Sequence, residues 1–133
     1  MSFKYLKMAF RHIKPNENGY YIAVIGDEDT VTGLLLTGIG QLEQEGPNVR
    51  TNFLIVRNKT TLEEIEKAFQ QFTQRDDIAI LLINQHIANQ IRSSIDKFDN
   101  PLPAIVEIPS KDHPYKPEED PVFVRVSSLL GLQ

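Results

Sequence analysis

Four short apolar runs punctuate the chain at intervals of roughly thirty residues, the size of a βαβ unit. They are Tyr20–Ile25 (YYIAVI), Asn52–Val56 (NFLIV), Ile78–Ile83 (IAILLI) and Ala104–Ile108 (AIVEI). Each is too short for a buried helix and rich in β-branched residues, so each reads as a strand. The first three barely alternate between apolar and polar positions, which is the pattern of strands covered on both faces of a parallel sheet. Ile78–Ile83 is the most apolar and belongs at the centre. Glu107 interrupts the last run and points to an edge strand, or one half open to solvent.

The intervals between the runs carry helical periodicity. Thr60 or Thr61, each with a glutamate three residues on, makes a capping box. Leu62, Ile65, Phe69 and Phe72 then follow on one face, with Glu63, Glu66, Lys67, Gln70 and Gln71 on the others. Ile87, Ile91, Ile95 and Phe98 form a single stripe in the third interval, and Asn100-Pro101 ends that helix. In the first interval Gly33, Gly38 and Gly40 interrupt the apolar pattern, which limits the helix to about Asp29 to Thr37 or Gly38. An exposed acidic loop is expected over Gln41–Asn48 (QLEQEGPN), with Gly46-Pro47 as its turn. The order β-α-β-α-β-α-β with short links, and right-handed crossovers, gives an α/β fold: a three-layer sandwich around a four-stranded parallel sheet. Beyond it, residues 109–117 are rich in proline and polar residues and read as an ordered turn or a tether. Pro121–Leu132 is expected to resume as a helix with Pro121 in its first turn, although Val122, Val124 and Val126 also alternate like a strand.

Composition narrows the function. The 133 residues suit one domain with one core. With no cysteine, disulfides, thiolate metal sites and cysteine nucleophiles are excluded. No apolar run approaches the roughly 20 residues of a membrane span, and the opening residues hold no apolar signal-peptide core. The formal net charge of −4 argues against a broad nucleic-acid-binding face. That charge is uneven. Lys4, Lys7, Arg11 and Lys14 against Glu17 make residues 1–18 a basic extension of net +3, which leaves −7 for the rest. The division expected is therefore a basic extension over 1–18, an α/β core over 19–109, and a turn with a C-terminal tail helix over 110–133.

The strand tips carry the candidate chemistry. Open α/β sheets bind ligands at the carboxyl ends of strands where strand order reverses. Here those ends hold Gly26-Asp27-Glu28-Asp29 and Asn84-Gln85-His86: three carboxylates, no lysine, and a single glycine in place of a G-x-G-x-x-G fingerprint. The Walker lysine motif is also absent. A phosphoacceptor receiver domain would use acids after the first strand for Mg²⁺, which Asp27, Glu28 and Asp29 imitate. It also needs an aspartate at the tip of the third strand, where this chain has Asn84, and an amide is no carboxylate nucleophile. The plainer reading makes Asp29 or Thr30 the cap of the first helix. His12, His86 and His113 have no metal-ligand spacing. Ser110, Lys111, Asp112 and His113 lie too close together in sequence to converge as a triad, and read as turn chemistry or a contact surface.

Two features suggest contact with other chains. Gly33 lets another backbone approach the first helix, and one helix face cannot bury Leu34, Leu35 and Leu36 together. This fits either a short helix squeezed against a neighbouring loop or a docking surface for a partner helix. An apolar tail beyond a completed sandwich must likewise cover the sheet or another chain.

The runs IAVIGDEDTVTGLLLTGIG (Ile22–Gly40), RDDIAILLINQHIANQIR (Arg75–Arg92) and PAIVEIPSKDHPY (Pro103–Tyr115) closely resemble the F-subunit family of eukaryotic vacuolar-type proton-pumping ATPases. The resemblance spans about Tyr20 to Leu130, with three motifs in order. It implies a small Rossmann-like, or flavodoxin-like, sandwich with a C-terminal helical tail. It also implies a central-stalk rotor component that joins the long coiled-coil D subunit inside the ring of catalytic A and regulatory B subunits. Such a component carries no catalytic site, no cofactor and no metal, and helps couple ATP hydrolysis to proton translocation at the cytoplasmic face of vacuolar or other acidic-organelle membranes. Carried over residue by residue, an interface role falls to Gly33, Leu36, Pro109, Ser110, Lys111, Asp112, His113, Pro114 and Tyr115, and to the tail stripe Val122, Val126, Leu129 and Leu130. The competing class is a degenerate receiver-like signalling or regulatory domain without phosphotransfer. The N-terminus departs from the family, which usually starts near the first strand. Phe3, Leu6, Phe10 and Ile13 lie on one helical stripe among basic residues, as in an extension packed on its own domain or an amphipathic helix on an acidic or membrane surface.

Overall fold

In the computed structural model, which describes residues 20–40, 42–45 and 47–132, the four apolar runs lie side by side as one parallel sheet. The strands are β1 (Tyr21–Gly26), β4 (Phe53–Ile55), β5 (Ile78–Asn84) and β6 (Ala104–Ile108), in the spatial order β4-β1-β5-β6. Val24 pairs with Phe53 on one side and with Leu82 on the other, and Leu82 in turn with Val106. β5, the most apolar run, is central and the Glu107-bearing run is an edge, as the patterns predict; β1 is the other central strand.

Helices cover both faces. Helix α1 (Glu28–Leu36) places Val31 and Leu35 against Val24 and Phe53. Helix α2 (Leu62–Thr73) places Ile65, Ala68, Phe69 and Phe72 on the opposite face, against Ala23, Ile25, Leu81 and Ile83. The alternation of Ala23, Val24 and Ile25 between these two clusters is the period-2 rule of a strand at work in a run that looks continuously apolar. Helix α1 runs through Gly33 and stops just before Gly38. Gly38 takes φ 93°, its N–H donates to the Leu35 carbonyl, and the next N–H, of Ile39, donates to the Leu34 carbonyl. Those two bonds form a Schellman cap, which places the glycine after the helix.

Helix α2 starts on a complete capping box: Glu64 N–H donates to the Thr61 hydroxyl at 3.2 Å, and Thr61 N–H donates to the Glu64 carboxylate at 2.7 Å. Replacing Thr61 with alanine is expected to lower stability by about 1 kcal/mol in urea denaturation, leaving the fold intact.

Three sequence expectations are corrected. The acidic segment is a two-stranded antiparallel hairpin, β2 (Leu42–Glu45) with β3 (Asn48–Thr51), outside the main sheet. The third interval is broken into α3 (Gln85–Ala88), a 3₁₀ turn (Asn89–Ile91) and α4 (Arg92–Asp96), because Ile91 leaves helical geometry at φ −115°, ψ 27°. Its isoleucines still reach the core, but the helix ends at Asp96, short of Asn100-Pro101. The cap of α1 is Asp27, whose carboxylate accepts the Thr30 N–H at 2.8 Å, and neither Asp29 nor Thr30. The C-terminal segment is helix α5 (Pro121–Leu129), opened by Pro121 and capped by the Asp120 carboxylate, which accepts the Val122 N–H at 2.9 Å. The amphipathic stripe and basic charges of residues 1–18 lie outside the described residues.

Candidate functional site

Strand order reverses between β1 and β5, so the ligand crevice of this sheet lies between their carboxyl tips. One side chain fills it. Asn84 is 0% exposed; its Oδ1 accepts the Asp27 N–H at 2.8 Å, and its Nδ2 donates to the Pro109 carbonyl at 3.1 Å and the Thr30 hydroxyl at 3.3 Å. A Cβ on Gly26 would stand 2.7 Å from that Oδ1, so only glycine lets the amide lie across the tip of β1. The amide joins three segments by bonds that a carboxylate could make only in part.

The acids at this tip are used singly. Asp27 caps α1, Glu28 pairs with Arg57 at 3.5 Å on the surface, and Asp29 is exposed. Among the described residues no group of three or more histidines and acids is arranged to hold a metal ion.

Beside Asn84 runs a strap, residues 109–120, tied to the carboxyl edge of the sheet. Gln85, 3% exposed, grips the backbone of Lys116 from both sides: the Lys116 N–H donates to its Oε1 at 2.7 Å, and its Nε2 donates to the Lys116 carbonyl at 2.7 Å. Gln85 also reaches Glu107 at 3.3 Å. Glu107 forms an ion pair with Arg92 and its side chain is only 4% exposed. The acid that pointed to an edge or half-open strand thus lies on an edge, with its own side chain buried because Arg92 covers it. Asn89 Nδ2 donates to Glu119 at 2.7 Å and Lys116 pairs with the same carboxylate at 3.1 Å. The Asn89 bond, then that of Lys116, holds the Glu119 carboxyl below its ordinary range. Tyr115 donates its hydroxyl to Asp120, and chiefly for that reason its pKa is pushed up to about 12.

Ser110 and His113 close a turn within the strap: the Ser110 N–H donates to the His113 carbonyl at 3.0 Å, and the His113 N–H to the Ser110 hydroxyl at 3.1 Å. The His113 ring lies flat on that of His86, centroids 4.0 Å apart and planes 13° apart. His86 Nδ1 is buried without a hydrogen-bond partner. Burial, then the neighbouring His113, pushes the His86 pKa down, against the pull of Asp27.

The residues singled out for partner contact fall into three places. Gly33 and Leu36 lie on the outer face of α1, with nothing within 4 Å of a Cβ on Gly33 and Leu36 66% exposed. Pro109, Ser110, Lys111, Asp112, His113, Pro114 and Tyr115 belong to the strap. Val122, Val126 and Leu129 lie on α5, with Leu130 just past its end; no residue of α5 is buried, and its apolar side chains are 47% to 81% exposed. The strap contacts escaped the sequence because Gln85 and Lys116, or His86 and His113, are 31 and 27 positions apart and carry no periodicity.

With this geometry in view, the sequence profile of the ATP synthase (F/14-kDa) subunit family matches residues 22–126. The V-type proton ATPase F subunit of Neosartorya fischeri is 62% identical over 112 residues, covering 84% of this chain and 90% of its own. That of Arabidopsis thaliana is 50% identical over 126 residues, covering 95% and 96%. That of Saccharomyces cerevisiae is 60% identical over 111 residues, covering 83% and 93%.

Proposed function

The chain belongs to the family of V-type proton ATPase F subunits, and from that membership we propose that it is a non-catalytic part of the central rotor stalk, coupling ATP hydrolysis to proton transport. The family places the chain in a rotary, proton-transporting ATPase complex. The observation that carries the finer reading is α5: a capped helix whose apolar side chains are all exposed. Monomeric proteins rarely leave such a contiguous surface uncovered unless another chain covers it. The closed crevice supports the non-catalytic role, since Asn84 occupies the place a nucleotide or phosphoryl group would take. It also weighs against phosphotransfer of the receiver kind, because the tip of β5 offers an engaged amide and no carboxylate.

On this reading the partner surface consists of the outer face of α1 at Gly33 and Leu36, the strap, and the α5 stripe Val122, Val126, Leu129 and Leu130. The core over 19–109 acts as the body and residues 110–133 as the arm. The partners are the central-stalk D subunit and, around it, the A/B ring, at the cytoplasmic face of acidic-organelle membranes. No helix among the described residues is long and apolar enough to cross a membrane, so on this reading membrane attachment comes through the complex.

Membrane vesicles carrying the complex without this chain are expected to lose ATP-driven acidification and to regain it when the purified chain is added back. The isolated chain is expected to turn over no ATP. Acidification that is indifferent to the chain, or turnover by the chain alone, contradicts the proposal.

A further inference from the structure

We propose that the stacked rings of His86 and His113 form a proton-operated latch, whose protonation releases the strap 109–120, and α5 with it, from the carboxyl edge of the sheet. The rings are the only stacked histidines among the described residues, and one belongs to the body while the other belongs to the strap. At a centroid distance of 4.0 Å two neutral imidazoles pack well, whereas two imidazolium ions repel. The buried, unpartnered Nδ1 of His86 has no acceptor waiting for the proton it would gain. The ring of His113 is also held by Ser110, whose hydroxyl lies 3.1 Å from its Nδ1.

The charged groups that face His86 are Asp27 from the tip of β1, which favours its proton, and His113 from the strap, which opposes it. The Arg92–Glu107 and Lys116–Glu119 pairs beside them are internally neutralised. Docking lowers the pKa of His86, so the docked strap binds fewer protons than the released one. The stabilisation is therefore complete above the ordinary histidine value of about 6.5 and is lost progressively as pH falls from there toward the lower docked value. The remaining ties, chiefly the Gln85 grip on Lys116, set how far the strap must loosen before α5 moves. The latch stands on the packing of this chain and does not depend on the rotor reading.

The test is amide hydrogen exchange on the full chain, corrected for the intrinsic pH dependence of exchange. The strap reporter is the Lys116 amide, bonded across to Gln85, and the sheet references are those of Val24 and Val56, bonded to Asn52 and Gly26. Strap protection is expected to fall roughly threefold or more between pH 7.5 and 5.5, while the references hold. His86→Phe and His113→Phe each keep a flat ring in the stack and remove a charge, and each is expected to flatten the response. Equal strap protection at both pH values in the native chain overturns the latch whether or not the variants fold. An undiminished response in both variants also overturns it.

Discussion

Asn84→Asp is expected to lower the unfolding free energy by about 3 kcal/mol or more at pH 7, the range for an uncompensated buried charge. The native amide accepts one bond and donates two, and its site is sealed from water. A carboxylate keeps the bond from the Asp27 N–H and can accept one from the Thr30 hydroxyl, but it turns its second oxygen toward the Pro109 carbonyl, an acceptor left without its donor. The new acid can remain only by taking a proton, so its folded pKa rises above the unfolded value of about 3.9. Its stability is then fully present below that unfolded value and lost as pH rises through the folded one. Urea denaturation across pH 4 to 8 should show the deficit shrink in acid. Asn84→Ala, which leaves the same neighbours unpaired without a charge, should be destabilised at every pH. Native stability of the Asn84→Asp chain at pH 7 would mean that the crevice is open to water.

The parallel sheet was legible because β1, β4 and β5 are covered by helices on both faces, which leaves no polar position in them before Asn84 at the tip of β5. Likewise Thr61 and Glu64 announced the start of α2 through chemistry confined to four residues. The hairpin at 42–51 was hidden for the opposite reason. It lies outside the main sheet, and the acidic composition of Leu42–Glu45 resembles a loop. The break at Asn89–Ile91 was hidden because isoleucines four apart fit an unbroken helix as well as a broken one. At the strand tips the sequence exposed the missing nucleophile at Asn84 but not the use made of the amide, which rests on atoms 25 to 57 positions away. Glu107 marked its strand as an edge, but the burial of its own side chain was decided by Arg92, on a different element.

The second large effect expected is loss of assembly when the tail face is charged. Val126→Glu with Leu130→Glu puts two carboxylates on a surface that is already solvated in the isolated chain, so the stability of that chain should change by less than about 0.5 kcal/mol. In an assembled interface the same two groups are desolvated without partners. Central interface positions commonly cost about 2 kcal/mol or more each, and 1.4 kcal/mol is about tenfold in affinity. Affinity for the D subunit should therefore fall by about a hundredfold or more.

Titration calorimetry of the full chain and of this double variant against the purified D subunit, with thermal unfolding of each chain as control, tests the docking role most directly. Expected are one-to-one binding by the native chain, binding too weak to detect by the variant, and matching unfolding curves. Equal affinity of the two chains for the D subunit, or no binding by either, would contradict it.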